Sequence, residues 1–320
     1  MGEAIQLRFL GDRGGLLALP EKCSVTVAHC EQREICQAIA AVMEQILYAL
    51  ALSGLDLRAL DGVTLAQDCG AEAAAIQRIP EGQNIPDEGD GSDAVEMART
   101  VAAWRGDELR FQIVLRTGLA LMVLSPEKQQ QTLAYGCIAH EAADVDHEGH
   151  LYRTFPTMFG RPLECGDRSR QIFLRAMDVW SEYAACRSSA SFRPEAVHEF
   201  EGLFCRTLES SLAACEERIA VSESGCEALK DTLEFRQTFG DLFIHAGYFL
   251  GHLDGLELRL GYDAPQASSL LAEHPRIQTL IMRLGHELQE LWRNEYDWQS
   301  VEVFAPIYEL IGAMAAQRGF

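Results

Sequence analysis

The sequence predicts an α+β fold that is predominantly helical, with a small β-sheet or hairpin packed on a helix and a helical C-terminal region. Strand-like runs of β-branched and apolar residues occur only before residue 117, and helical periodicity dominates from residue 168 onward. No internal repeat interrupts this order. Strands in one part of the chain and helices in another are typical of α+β proteins.

The N-terminal part is expected to combine short strands with one helix. Residues 31–53 are predicted as a single helix because apolar side chains recur along them at helical spacing. Three strands and one polar, glycine-rich loop are predicted around this helix, at residues 5–9, 24–28 and 62–66 for the strands and 80–92 for the loop.

A β-hairpin and a helix follow the loop. Residues 94–104 and 109–116 form the two predicted arms of the hairpin, and a helix that begins near Pro126 leads into His140. We expect three parts, which are compatible with one continuous globule. These parts are N-terminal strands and a helix at 1–58, a core that carries the chemistry at 59–190, and a helical region at 191–320.

The composition indicates a soluble cytoplasmic protein. A formal charge of -21 repels phosphate backbones and anionic lipids, so neither a nucleic acid nor a membrane is an expected partner. The first residues lack the basic start and apolar core of a signal peptide, and the most apolar segment, 38–52, is too short to span a bilayer. Ten cysteines without CxxC pairs indicate reduced thiols.

The most informative segment begins with His140 and Glu141, the first half of an HExxH zinc motif. That motif works because residues four apart lie on one face of a helix, about 6 Å apart along its axis. The Glu beside the first His activates the water on the metal. His198 and His286 also precede a Glu, so the context distinguishes His140: a hairpin before it, small residues around it and further carboxylates on its face.

Several residues are candidates to complete the site. Asp144 takes the place of the second His, and a carboxylate is an accepted zinc ligand. His147 lies about 10 Å beyond His140 on a straight helix, so it shares the ion only if the helix ends early. His150 has metzincin spacing but lacks the glycine turn, and both histidines are expected at a solvated helix end. Glu182, on a later helix, is the candidate third ligand.

The hairpin, the His-Glu helix and the later run from Glu182 to Arg187 together resemble bacterial zincin-like proteins of the gluzincin type, over about residues 60–190. The resemblance implies a zinc metallopeptidase in which a zincin-type helix packs on the sheet. Its ligands would be His140, Asp144 and Glu182, with Glu141 as the general base. Asp144 departs from the family's His.

Supporting roles are expected around these ligands. Asp178, one turn before Glu182, would orient a ligand. Tyr183 and Arg187 are candidates for a supporting shell around the ligands. These two residues and Tyr152 are the candidates for stabilising the oxyanion. A peptide or protein substrate would be held by strand addition along one edge of the hairpin, with residues 109–116 as the candidate strand.

Three other interpretations stay open. The chain would be a degenerate, inactive zincin scaffold that binds a protein partner, or its metal would be purely structural. Glu182 would instead be a buried carboxylate paired with Arg187. His286 and Glu287 are interpreted as the exposed face of an amphipathic helix.

Overall fold

The computed structural model describes residues 3–7, 17–27, 33–76, 97–106, 108–159, 168–221 and 233–316. It is 71% helical and contains a small mixed sheet of five strands. The predicted α+β, predominantly helical fold is therefore confirmed. The predicted loop at 80–92 lies outside the described residues.

Two compact units make up the chain, Met1–Pro162 and Leu163–Phe320. The first contains the whole sheet and the second is helical wherever it has regular structure. The division into three parts at 58/59 and 190/191 stays a prediction.

The sheet of the first unit has the strand order β1-β2-β3-β5-β4. Its central pairs, β2 with β3 and β3 with β5, are parallel, whereas the outer pairs, β1 with β2 and β4 with β5, are antiparallel. The predicted strands and hairpin are present with ends shifted by a few residues. The five strands are β1 (Glu3–Gln6), β2 (Ser24–Val27), β3 (Leu60–Ala66), β4 (Ala98–Arg105) and β5 (Glu108–Arg116).

The predicted substrate strand, 109–116, is not at the edge of the sheet. It belongs to β5, which pairs with β3 on one side and with β4 on the other. A strand paired on both sides has no main-chain groups left for an added peptide, so this prediction is wrong. The sequence shows the hairpin but not which of its arms joins the rest of the sheet.

The described residues of the first unit form four α-helices: α1 (Arg33–Leu52), α2 (Cys69–Ile76), α3 (Thr117–Met122) and α4 (Lys128–Thr154). Helix α4 packs on β4, β5, α1 and α3, and it carries His140 and Glu141. Ala73 of α2 belongs to an apolar cluster with Val101 of β4 and Val114 of β5. The short helices α2 and α3 are absent from the sequence prediction.

Helix α1 is longer than the apolar segment seen in the sequence. Its 20 residues are long and apolar enough to cross a membrane by length and composition alone, so excluding a span on length is wrong. However, Met43, Leu47 and Leu50 are fully buried, and α1 packs against β1 and α4. Helix α1 therefore packs into the core of the first unit along one face.

The second unit contains α5 (Arg168–Ser189), α6 (Val197–Val221), α7 (Leu233–Gly255), α8 (Leu260–Asp263), α9 (Pro265–Glu273), α10 (Pro275–Arg293) and α11 (Ala305–Ala316). Pro194, Pro265 and Pro275 each open a helical turn, where the missing N–H of proline costs nothing.

Helices α5 and α7 cross at very short distance. A Cβ added to Gly247, Gly251 or Gly255 would lie 2.7, 2.2 or 2.4 Å from the carbonyl oxygen of Val179, Tyr183 or Arg187. Only glycine fits at such a crossing, so these three positions on one face of α7 set the spacing of the two helices.

Among the cysteines whose side chains the structure describes, Cys36 is disulfide-bonded. The described thiols outside any disulfide are Cys23, Cys69, Cys137, Cys186 and Cys205. The prediction of reduced thiols is therefore wrong at Cys36.

Candidate metal centre

Three side chains of α4 converge on one point. His140, Glu141 and Asp144 each offer a ligand atom, and these atoms all lie within 4.8 Å of one another. Nε2 of His140 is 3.7 Å from Oδ2 of Asp144. A tetrahedral zinc ion with bonds of about 2.0–2.2 Å holds its ligand atoms about 3.4 Å apart. His140 and Asp144 therefore need only a small adjustment to share one ion.

The helical spacing and the small neighbours explain this convergence. Residues 140 and 144 are one turn apart and lie on the same face. Ala139, Ala142 and Ala143 are fully buried, which indicates that small side chains let this part of α4 approach its neighbours closely. The side chains of His140 and Asp144 remain 18% and 14% exposed, so solvent and ions reach them.

Thr100 of β4 contacts the third member of the cluster. Its Oγ1 lies 2.9 Å from Oε2 of Glu141 and 2.9 Å from the backbone oxygen of the same residue. Glu141 itself is 8% exposed. A strand residue thus holds the nearly buried carboxylate at the cluster. Thr100 is not predicted from the sequence, because strand alternation alone does not show which face of β4 meets α4.

His147 and His150 lie outside this cluster of three. Helix α4 continues to Thr154, so the early helix end that His147 would need is not present. The expected solvated position is also wrong for His147, which is 3% exposed and has Nδ1 3.9 Å from Oδ2 of Asp146. Nε2 of His150 lies 3.3 Å from Oδ1 of Asp146. Both imidazoles therefore adjoin Asp146.

A charged network anchors this part of α4 to the segment before β3. Oδ1 of Asp146 accepts the backbone N–H of Asp56 at 3.1 Å. The Asp56 carboxylate in turn accepts from Arg58 at 2.7 Å and from Arg153 at 3.1 Å. Burial alone raises the pKa of Asp56, but hydrogen bonds from Arg58 and the charges of Arg153 and Arg58 outweigh it, so this pKa is lowered.

The residues predicted from the second unit lie on α5. Glu182 is half-buried with Oε2 shielded from solvent, and Asp178 is also half-buried. Their roles as third ligand and as the group that orients a ligand stay predictions.

Tyr183 and Arg187 belong to a polar network around Asp254 of α7. The hydroxyl of Tyr183 donates to the Asp254 carboxylate, and Arg187 lies 3.4 Å from the same oxygen. Burial, followed by the charge and the hydrogen bond of Asp254, raises the pKa of Tyr183. The guanidinium also stacks on the ring of Trp292, 4.6 Å from its centroid. Roles for Tyr183 and Arg187 at a metal stay predictions.

The other two His-Glu pairs differ from the cluster on α4. His198 on α6 and His286 on α10 are both exposed. The buried face of α10 carries the apolar side chains Ile277, Leu280, Ile281, Leu284, Leu288 and Leu291. The prediction that His286 lies on the exposed face of an amphipathic helix is confirmed.

One side of β4 faces away from β5, and no other described strand pairs with it. The N–H of Arg116 donates to the carbonyl of Met97, and the register continues with Ala98 opposite Leu115. Hydrogen-bonded and non-bonded pairs alternate in an antiparallel ladder, so the N–H and C=O groups of Thr100 and Ala102 point away from β5. Thr100 therefore has its side chain at Glu141 and its main chain at the sheet edge.

No known protein family, no curated protein and no solved structure matches this chain. The case for a function therefore rests on the residues and geometry of the described parts.

Proposed function

We propose that the protein is a zinc-dependent metallopeptidase that hydrolyses a peptide or protein. The supporting observation is the convergence of His140, Glu141 and Asp144 within 4.8 Å on a solvent-accessible face of α4. His140 and Asp144 hold the ion in this proposal. Bound zinc would supply a water of lowered pKa and polarise the scissile carbonyl. Glu141 would act as the general base, accepting a proton and donating it to the leaving amine.

Strand β4 provides the place for an extended peptide. Its outward main-chain groups, at Thr100 and Ala102, suit strand addition, in which backbone hydrogen bonds supply affinity. Thr100 also contacts Glu141 through its side chain, so a peptide along this edge is close to the proposed base. In this proposal β4 takes the role that the sequence assigned to 109–116.

The rest of the proposal comes from the sequence. Glu182 is the third ligand, Asp178 orients it, and Tyr183 with Arg187 supports the site. The charge of -21 suits a cytoplasmic protein without nucleic-acid or membrane partners.

A second candidate function is an inactive scaffold that binds a protein partner. One observation favours it: His140 and Asp144 are close enough to form an ion pair when the imidazole is protonated. Each of these side chains is then paired with the other, and no metal is needed. The two functions differ in whether the protein binds zinc. A structural zinc site is the third alternative, and it differs in whether Glu141→Gln changes turnover.

The test is the metal content of the freshly purified protein, measured by mass spectrometry, together with hydrolysis of fluorescein-labelled casein. The proposal predicts about one zinc per chain, casein cleavage that a chelator stops, and loss of cleavage in Glu141→Gln, which still binds zinc but at a lower affinity because a negative charge beside the ion is lost. A chain that stays metal-free in excess zinc but binds it after Asp144→His is the inactive scaffold. If the protein binds zinc but does not cleave casein, and Glu141→Gln changes neither result, the zinc site is structural. Unchanged zinc in Glu182→Ala removes that residue from the ligand set.

A further inference from the structure

We infer that Thr100 is the positioning residue for the Glu141 carboxylate at the metal centre. This inference rests on the proposed function, because it assigns Thr100 a role at the ion that Glu141 faces. The residue acts through Glu141 and not by contact with the metal.

Two contacts carry the inference. Oγ1 of Thr100 lies 2.9 Å from Oε2 of Glu141 and 2.9 Å from the backbone oxygen of Glu141. The single hydroxyl hydrogen of Thr100 is shared between these two acceptors. Its bond to the backbone oxygen joins α4 to the strand, and its bond to Oε2 orients the carboxylate. A purely structural link between strand and helix would require only the contact with the backbone oxygen of Glu141.

The location of Thr100 makes it a rigid anchor. Its side chain is β-branched, which restricts χ1, and its backbone lies in a strand paired with β5 at Ile113. A glutamate side chain by contrast has three rotatable bonds. A hydrogen bond from this rigid residue restricts the conformations of the flexible Glu141 side chain. The carboxylate is thereby held facing the point between His140 and Asp144.

Groups that orient metal-site residues have measurable effects on the metal. Loss of one typically lowers metal affinity by roughly 10–100-fold. Thr100→Val removes the hydroxyl with little change in shape, so the Glu141 carboxylate loses this hydrogen bond while the strand keeps its packing.

The experiment measures the affinity of the full-length protein for Co²⁺ by competition with a chromophoric chelator, with the visible cobalt absorption as a second readout. We expect Thr100→Val to weaken Co²⁺ binding by roughly 10–100-fold and to alter the absorption spectrum. Thr100→Ser, which keeps the hydroxyl, restores both. The matched control is Thr132→Val on α4, where Oγ1 bonds only the carbonyl of Lys128 at 2.9 Å. It is expected to leave both readouts unchanged.

A double-mutant cycle tests whether Thr100 acts through Glu141. In a Glu141→Ala background, Thr100→Val should have no further effect on Co²⁺ affinity, because the side chain that it positions is gone. Wild-type affinity and spectrum in Thr100→Val, or an equal loss in both backgrounds, overturn the inference and leave the proposed metal site standing. A wild-type chain that binds no Co²⁺ overturns the metal site and the inference together.

Discussion

Asp144 stands one helical turn after His140, where a carboxylate replaces the imidazole of an HExxH motif. Its Oδ2 lies 3.7 Å from Nε2 of His140, close to the spacing of two ligands on zinc. Removing a direct ligand costs more than removing a group that only orients one. We therefore expect Asp144→Ala to lower zinc affinity by more than roughly 100-fold in titration calorimetry.

The matched control for this prediction is His150→Ala on the same helix. His150 adjoins Asp146 and is not a member of the cluster of three, so zinc affinity should stay within a few-fold of wild type. Loss of zinc in His150→Ala but not in Asp144→Ala would show that the metal binds near the C-terminal end of α4 and not at Asp144.

Asp56 gives the first unit a pH-dependent contribution to stability. Its pKa is lowered in the folded protein, so its contribution is present above the pKa of an unfolded Asp, about 3.9, and is lost as pH falls through the lower folded value. Asp56→Asn should lower the free energy of unfolding at pH 7 by about 1–3 kcal/mol, since it weakens hydrogen bonds to charged partners.

Calorimetry from pH 7 down to pH 2 measures this effect. The difference in melting temperature between wild type and Asp56→Asn should shrink progressively as pH falls below about 4, because the unfolded chain takes up the proton first and the folded carboxylate becomes neutral only at its lower pKa. Glu108→Gln, at an exposed pair with Arg110, serves as the control and should show little difference at any pH. A constant difference for Asp56→Asn would show that its charge does not contribute.

For individual residues, the sequence predicts the site residues that lie together on α4 but not the residues that other elements bring to the site. His140, Glu141 and Asp144 converge because the helical repeat alone brings them together. Thr100 is 41 residues from Glu141, and no local pattern connects the two. The burial of His147 was also missed, because it depends on how far α4 extends and on which elements pack against that turn.

Among the elements, the crossing of α5 and α7 depends on glycine. A Cβ at Gly251 would lie 2.2 Å from the carbonyl oxygen of Tyr183, which forces the helices apart. We expect Gly251→Ala to lower the free energy of unfolding of the second unit by roughly 1–3 kcal/mol, because overpacking outweighs the gain in helix propensity. Gly240→Ala, on the same helix with nothing within 4 Å, should stabilise by up to about 1 kcal/mol. Denaturant unfolding of both variants measures the contrast, and equal effects would contradict it.

The open side of β4 gives a second prediction at this scale. The N–H of Ala102 points away from β5, so Ala102→Pro should keep the hairpin and remove one hydrogen bond to a bound peptide. We expect KM for a cleaved peptide to rise roughly 2–10-fold with little change in kcat. Ala103→Pro removes an N–H that bonds β5 and should disrupt the hairpin in circular dichroism. An unchanged KM in a folded Ala102→Pro would place the peptide elsewhere.

Elements with strong periodicity were predicted and those defined by packing were not. The helix α1 and the β4–β5 hairpin follow from local patterns of apolar residues. The short helices α2 and α3 have too few turns for such a pattern. The edge position of β4 depends on the parallel pairing of β5 with β3, a contact between segments about 50 residues apart.

At the scale of the whole molecule, the charge of -21 should speed the capture of divalent cations. A strongly negative protein raises the local concentration of cations around it, and salt screens this field over a Debye length of about 10 Å at 0.1 M and 30 Å at 0.01 M. We therefore expect the association rate of zinc, measured by stopped-flow with a fluorescent chelator, to fall roughly tenfold between about 0.01 and 0.15 M salt. The dissociation rate should change little, because bonds to His140 and Asp144 are short-range. The same titration with Asp144→Ala separates capture at the cluster from loose binding to the acidic surface. An association rate that does not change with salt would show that the net charge has no part in delivering the ion.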